Sequence, residues 1–364
     1  MSRKKVLILG KLPPPYMGPA VATEIILRSK LKEEFELIHL DTRLNTSLSS
    51  FGKWSFGKIL KNLALYRRMR KLMKLKPDLV LIPVSQTTTG FLKDSVFIRI
   101  AHRNRAKILV HLRGSQFRAW VESTSASNQA RVKQTLEKTQ GAIVLGQKLR
   151  YIFEPYYSKE KIFVVPNGAN YSFPPKNVSQ EVRVLYFSNL LAAKGIVDVL
   201  LAVEMIAAKT KKDFSVDLVG EWYLEKDKQA CEEILNRTKL PVRIHAAKSG
   251  AEKFRFFADA DVFVFPPREP EGHPWAIVEA MAAGLPIIST DKGAITESVL
   301  SGQNGFIVEP GQPAQIAERL RSLIENEELR NTMGHASRNL YLSNFTEEKM
   351  VQNLSSVFNK MIES

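Results

Sequence analysis

The chain has 364 residues, of which 44% are hydrophobic and 25% charged, and a formal net charge of +16. That length exceeds one ordinary core and suits two domains of roughly 170 to 190 residues each, and no apolar run is long enough to span a bilayer. The one cysteine, Cys231, excludes an internal disulfide framework and a cysteine metal cluster, which fits a reducing cytoplasm.

The chain opens on a basic stretch and the apolar run Val6-Leu7-Ile8-Leu9, the outline of a secretory signal. The run is too short for one and meets Gly10 and Pro13 to Pro15 at once, so a first buried strand is expected. Short β-branched or leucine-rich runs then recur at 35–40, 79–83, 108–112, 142–145 and 162–165, with helical patterns between them. Strand alternating with helix predicts a parallel sheet covered on both faces.

The charge is unevenly placed. From Arg43 to Lys76 there are ten Lys or Arg residues and no Asp or Glu, interleaved with Trp54, Phe56, Leu60, Leu63, Tyr66 and Met69. The pattern is a basic amphipathic helix. One reading packs Ile59, Leu63, Tyr66 and Met73 onto a sheet and leaves the lysines in water. A second attracts the helix to an anionic membrane surface, with aromatic residues at the interface. A third is non-specific affinity for phosphate backbones, but no zinc finger or RNA-binding aromatic motif accompanies the charge, so no specific nucleic acid is expected.

Around Pro166-Asn167-Gly168 and Ser172 to Asn177 neither periodicity continues, which predicts a boundary between residues 1–172 and 173–345. A second strand series follows at 183–187, 214–219, 242–245, 262–265, 286–289 and 305–308. The doubly wound pattern therefore occurs twice. Beyond Gln312 the pattern is helical, and residues 346–364 form a last helix expected to cross back to the first domain. Two facing domains of this type place the carboxyl ends of both sheets toward one cleft, where ligands bind.

After the strand 262–265 comes a loop bearing Glu271, then a helix bearing Glu279, then a second buried strand. Carboxylates suit sugar hydroxyls as charged acceptors, and a helix N-terminus suits phosphate. With its sequel Glu279-Ala-Met-Ala-Ala-Gly-Leu-Pro286, this segment resembles the E-x7-E signature of glycosyltransferase family 4, retaining enzymes of GT-B fold. The resemblance implies that Glu271 binds the donor sugar and Glu279 the ribose of the nucleotide. The usual Glu-Gly-Phe-Gly reads Glu271-Gly272-His273-Pro274 here, ahead of Trp275. Pro274 lacks an amide N–H, and His273 is expected to shape the sugar pocket.

Other segments match the family in order. Leu12 to Pro19 is similar to its first glycine loop, with Gly18 retained and Pro19 in place of the second glycine. His111-Leu-Arg113-Gly resembles its His-containing loop, which implies that His111 contacts the donor sugar near the reacting carbon. Pro166-Asn-Gly168 resembles its interdomain turn. Ser188-Asn189 through Lys194-Gly195 is similar to the diphosphate clamp, with Lys194 as the cation on the leaving phosphate. Asn189 stands where many members carry Arg, a role Arg113 is free in sequence terms to take. Asp259-Ala-Asp261 spells a metal-binding string of other glycosyltransferases, but it precedes a strand and reads as strand-entry polarity. No metal and no cofactor beyond the nucleotide-sugar co-substrate are expected.

The reading is a retaining, metal-independent hexosyltransferase with His111, Lys194 and Glu271 at the reacting centre. Its partners would be a nucleotide-sugar donor and a glycan or lipid-linked acceptor in bacterial surface glycan or glycolipid assembly. Its place would be the cytoplasm, or the inner face of the cytoplasmic membrane through residues 43–76. A nucleotide-sugar 2-epimerase, a basic nucleic-acid-binding protein and a non-catalytic sugar-nucleotide sensor stay open as alternatives.

Overall fold

The computed structural model describes residues 3–14, 16–43, 56–237 and 239–364, with the backbone alone at 56–59. The chain divides into two compact units, Met1–Ala169 with Glu347–Ser364, and Asn170–Thr346.

The first unit runs β1 (Lys4–Gly10), α1 (Gly18–Arg28), α2 (Leu31–Glu34), β2 (Phe35–Asp41), α3 (Phe56–Met73), β3 (Leu79–Pro83) and α4 (Thr88–Arg103). It continues through β4 (Lys107–His111), α5 (Phe117–Glu122), α6 (Ala126–Leu136), β5 (Gly141–Val144) and β6 (Ile162–Val164). The strands form one parallel sheet in the order β2-β1-β3-β4-β5-β6. Strands buried on both faces need apolar side chains at every position rather than at alternate ones. Val6 to Leu9 and Leu79 to Ile82 meet that need, all at 3% exposure or less. Each such side chain contributes roughly 1.5–3 kcal/mol of burial free energy.

The second unit repeats the plan: β7 (Val182–Phe187), α7 (Ile196–Ile206), β8 (Phe214–Val219), α8 (Glu225–Arg237), β9 (Val242–His245) and α9 (Gly250–Asp259). Then come β10 (Val262–Phe265), α10 (Trp275–Ala282), β11 (Ile287–Thr290), β12 (Gly305–Val308), α11 (Pro313–Glu325) and α12 (Glu327–Asn344). Its parallel sheet has the order β12-β11-β10-β7-β8-β9. The chain winds outward from β7 to β9 and then returns to the other side of β7 as β10. The gap between β7 and β10 is therefore the topological switch point, where open α/β sheets bind ligands at their carboxyl ends.

Helix α13 (Glu347–Glu363) belongs to the first unit. Its apolar stripe, Met350, Leu354, Phe358 and Met361, is buried, and Phe358 meets Phe35 edge-on at 5.7 Å. Ser355 donates to Glu34 at the end of α2.

Helix α3 carries the described part of the basic stretch; residues 44–55 of it, and the side chains of 56–59, lie outside the described residues. Its buried stripe is Leu65, Met69 and Met73, four residues apart as one helix face demands. Tyr66 packs edge-on against Phe97 of α4 at 5.1 Å. Leu63, expected on the sheet, is 46% exposed, and Leu60 is 66% exposed. Met73 is buried as expected, while Leu65 takes the buried place expected of Leu63. Arg67, Arg68, Arg70, Lys71 and Lys74 are exposed beside these leucines.

Candidate active site

In the second unit, the chain leaves β7 through Ser188-Asn189 and a short turn to enter α7 at Gly195. Tyr186, fully buried, sets its hydroxyl 3.1 Å from the Asn189 carbonyl and 3.2 Å from that of Lys194. Burial holds its phenol well above the usual tyrosine range. The Ala192 amide donates to Asp227 of α8 at 2.9 Å. Gly195 has φ +84° and lies so near the next loop that a Cβ would sit 2.1 Å from the Pro266 carbonyl oxygen. Only glycine combines that left-handed backbone with that approach.

The loop after β10 is tied across the switch point to this turn. Arg268 donates its backbone N–H to the Ala193 carbonyl at 3.0 Å, and its guanidinium grips Asp198 of α7 with bonds of 2.7 and 2.5 Å. Asp198 is wholly buried. Gly293, at φ +62°, supports the same loop from below: a Cβ there would fall 1.6 Å from the Glu271 carbonyl oxygen. The neighbouring Ala294 amide donates to Gly272 at 3.0 Å. The loop is thus held at both ends by backbone contacts before any ligand arrives.

Within this frame the Lys194 ammonium bonds to the Glu271 carboxylate. The two residues lie 77 apart in sequence and meet because β7 and β10 are neighbours. Glu279 sits in the second turn of α10 and is buried, with Oε1 2.5 Å from Lys253 Nζ of α9. Its other oxygen, Oε2, is buried with no partner among the described residues. Burial raises the Glu279 carboxyl above the usual range, and Lys253 opposes that shift.

His273 follows Glu271 by two residues in the same loop. Its ring is buried against Phe345 at 5.1 Å, and Nε2 is 2.7 Å from Ser298 Oγ. Burial lowers it to about 4, so at neutral pH it is an uncharged core group. The ring expected to shape a sugar pocket is thus packed on Phe345 and Ser298. Pro274 caps α10 with its carbonyl, 3.2 Å from the Ile277 amide, and Trp275 is partly exposed at the start of that helix.

In the first unit His111 ends β4 and is 3% exposed. Its Nε2 is buried with no partner among the described residues. Burial first, and then the Arg113 charge, hold its imidazole well below the usual range. Arg113 donates to the Asn167 side chain at 3.2 Å, and burial brings its guanidinium down to about 9. The Asn167 turn thereby anchors Arg113 within its own unit. Gly18 opens α1, with Pro19 in its first turn.

Asp259 and Asp261 are engaged by protein groups. Asp259 accepts from the Asn177 amide at 2.9 Å and from Arg255 at 3.2 Å, while Asp261 accepts from the Arg183 amide at 2.8 Å and from Lys176 at 2.6 Å. They fasten the interdomain stretch to the start of β10. A cavity of about 240 Å³ nearby is lined by Arg183, Asp217, Arg243, His245 and Asp259. It lies away from the switch-point loops, and its charges are matched: Asp217 meets Arg243 at 3.1 Å and His245 at 2.8 Å.

The pairing of Lys253 with Glu279, the Asp198–Arg268 clamp and Gly293 were not legible in the sequence. Lys253 occupies an ordinary helix position, and only the Asp-Lys-Gly turn before Ala294 carried a local signal for Gly293.

Two doubly wound domains, one with paired carboxylates at its switch point, define an α/β protein of the GT-B class. Residues 169–360, more than half of the chain, match the family described as Glycosyl transferases group 1. The chain belongs to that family. It is 30% identical over 178 residues to the capsular polysaccharide biosynthesis glycosyltransferase CapM of Staphylococcus aureus, covering 49% of this chain and 46% of the relative. It is 30% identical over 205 residues to an uncharacterized glycosyltransferase, MJ1178, of Methanocaldococcus jannaschii, covering 56% and 55%. The chain thus spans about half the length of these curated relatives. Among solved structures, a glycosyltransferase from Rickettsia africae superposes with a TM-score of 0.76 at 17% identity over 100% of both chains. HepE of Anabaena, in complex with UDP, does so with 0.73 at 17% identity over 98% of this chain and 100% of its own. At such identities the likeness is one of fold.

Proposed function

We propose that this chain is a retaining glycosyltransferase that moves a hexose-type sugar from a nucleotide-diphosphate sugar to an acceptor hydroxyl in surface glycan or glycolipid assembly. The observation that carries the reading is the pair of carboxylates at the second-unit switch point, Glu271 on Lys194 and Glu279 with a buried, open Oε2. A buried carboxylate oxygen without a donor is unfavourable unless a ligand hydroxyl supplies one.

In this reading the donor exchanges partners with the protein. Lys194 turns from Glu271 to the diphosphate, and Glu271, released, accepts from hydroxyls of the sugar. Glu279 accepts from the ribose. As the bond from the sugar's C1 to the β-phosphate oxygen breaks and the acceptor oxygen bonds to C1, the acceptor's proton passes to the departing diphosphate, whose developing charge Lys194 and the amides entering α7 stabilise. His111, neutral and with Nε2 open, is a polar group for the sugar from the first unit, to which the acceptor is assigned. Retention and the sugar-side roles follow from the family resemblance. Support for the donor class comes from HepE, solved in complex with UDP and with UDP-glucose. Support for the setting comes from relatives named for capsule, lipopolysaccharide and poly(ribitol-phosphate) transfer.

The test is a thermal-shift and turnover screen with UDP-, GDP- and ADP-sugars, because a bound donor stabilises the folded state. One donor should raise Tm and be consumed with an acceptor, and Glu271→Ala should lower transfer by about a hundred- to a thousandfold. Isomerised product from donor alone would replace the reading with an epimerase, and steeply salt-dependent binding to RNA or DNA would replace it with a nucleic-acid protein.

The exposed Leu60 and Leu63 among the cations of α3 favour a lipid-borne acceptor at an anionic membrane surface. No helix among the described residues is long and apolar enough to cross a membrane. Flotation should recover the protein with anionic vesicles and leave it behind with neutral ones. Equal recovery on both would remove the membrane from the proposal.

A further inference from the structure

The Lys253 ammonium is held between two unlike groups. It lies 2.5 Å from Glu279 Oε1 and 5.3 Å from the centre of the Phe187 ring, at the end of β7. A face-on aromatic ring attracts a cation and keeps water away from it. Phe187 is in turn backed by Phe257 of α9, ring to ring at 5.3 Å. The ammonium is therefore fixed in place by its own helix, by β7 and by α10.

We infer that Lys253 is a positioning residue for the nucleoside end of the donor: its ammonium occupies Glu279 Oε1 and leaves Oε2 as the acceptor open to a ribose hydroxyl. The inference rests on the reading of Glu279 as a ribose ligand. Its warrant is the asymmetry of the carboxylate, one oxygen paired and the other buried and unpartnered among the described residues. A protonated Glu279 would present a hydroxyl in place of that acceptor.

Lys253 also opposes protonation. Burial raises the Glu279 carboxyl and Lys253 lowers it, with no other charge acting on it among the described residues. The elements packed on α10 agree with this. On α12, Arg338 is spent on the Ala282 carbonyl and the Tyr341 ring, and β11 contributes Ile287, Ile288, Ser289 and Thr290, none of which titrates.

The experiment measures UDP, GDP and ADP affinity by calorimetry from pH 5.5 to 9 for the full chain, Lys253→Met, Lys253→Arg, Glu279→Gln and the Lys253→Met/Glu279→Gln double variant. Lys253→Met should bind about ten- to a hundredfold more weakly near pH 6 and recover as pH rises and Glu279 ionises. Lys253→Arg should behave as the parent, and Glu279→Gln should lose affinity equally at every pH. The double variant should be no weaker than Glu279→Gln alone.

A ligand-free readout accompanies it. Without Lys253, the folded-state carboxyl moves further above its unfolded value, so Tm should fall with rising pH over a wider range than in the parent. That slope should vanish in the double variant. Unchanged affinity in Lys253→Met, a loss independent of pH, or a further loss on the Glu279→Gln background would overturn the inference while the parent still binds nucleotide. A parent that binds none of the three nucleotides would overturn the reading of the site on which the inference stands.

Discussion

The loops at the carboxyl end of the second sheet and the loop after β4 in the first solve opposite electrostatic problems. In the second unit three acids of the site each have a cation from another element: Glu271 has Lys194, Glu279 has Lys253, and Asp198 has Arg268. In the first unit burial and the Arg113 charge both disfavour the protonated form of His111, and its Nε2 is buried and unpartnered among the described residues. Buried charges persist when they are paired, so the second unit is preorganised with charges that a ligand must exchange. The first unit leaves a neutral imidazole that a ligand can simply meet.

The largest effect that sharpens this contrast is on turnover. On the proposed function Lys194→Met should lower transfer by about a hundred- to a thousandfold, because it would remove the cation from the leaving diphosphate. The double variant with Glu271→Ala should be little worse than either single one, since the two act as a unit. Additive losses in kcat/KM would show that they act separately and would break the exchange picture.

Next comes stability. Asp198→Ala removes the buried half of a bidentate pair and should cost about 3 kcal/mol, the lower part of the usual range, because the Arg268 side chain is 42% exposed and regains water. Calorimetry of the full chain should show the loss as a lower Tm.

Acid should act through His273. Its imidazole is held at about 4 in the folded state, against about 6.5 unfolded. The unfolded chain therefore gains a proton across the window from 6.5 down to 4 that the folded chain refuses, and stability falls there as pH falls. At pH 4.5 the loss should be about 2.5 kcal/mol. His273→Phe should flatten that limb by this amount; an unchanged limb would place the ring in water.

The smallest effect belongs to the first unit. His111→Leu removes an imidazole with an unpartnered buried nitrogen, so stability should shift by no more than about 1 kcal/mol while transfer falls. A loss as large as that of Asp198→Ala would erase the contrast between the units.

Most of the fold was legible because parallel strands buried on both faces announce themselves as unbroken apolar runs. Val6 to Leu9, Leu79 to Ile82 and Val262 to Phe265 all read that way, and each lies in a strand. The site was legible only in part. Lys194, Glu271 and Glu279 stand in a motif, but His273 shares that motif and its ring turned to Phe345 and Ser298. Residue type and spacing do not report which way a loop side chain points. Helix α3 taught the same lesson, since Leu63 was expected on the sheet and the folded chain buries Leu65 instead.

The sequence by itself determined two doubly wound sheets, the order of their strands along the chain, and which loops carry chemistry. Periodicity and turn residues are local, and they suffice for that. Only the tertiary structure decided that Lys194 meets Glu271 across 77 residues, and that Lys253 takes one oxygen of Glu279 and leaves the other open. Those contacts arise where β10 returns beside β7, and no local pattern encodes a pairing that exists only once the sheet has closed over its switch point.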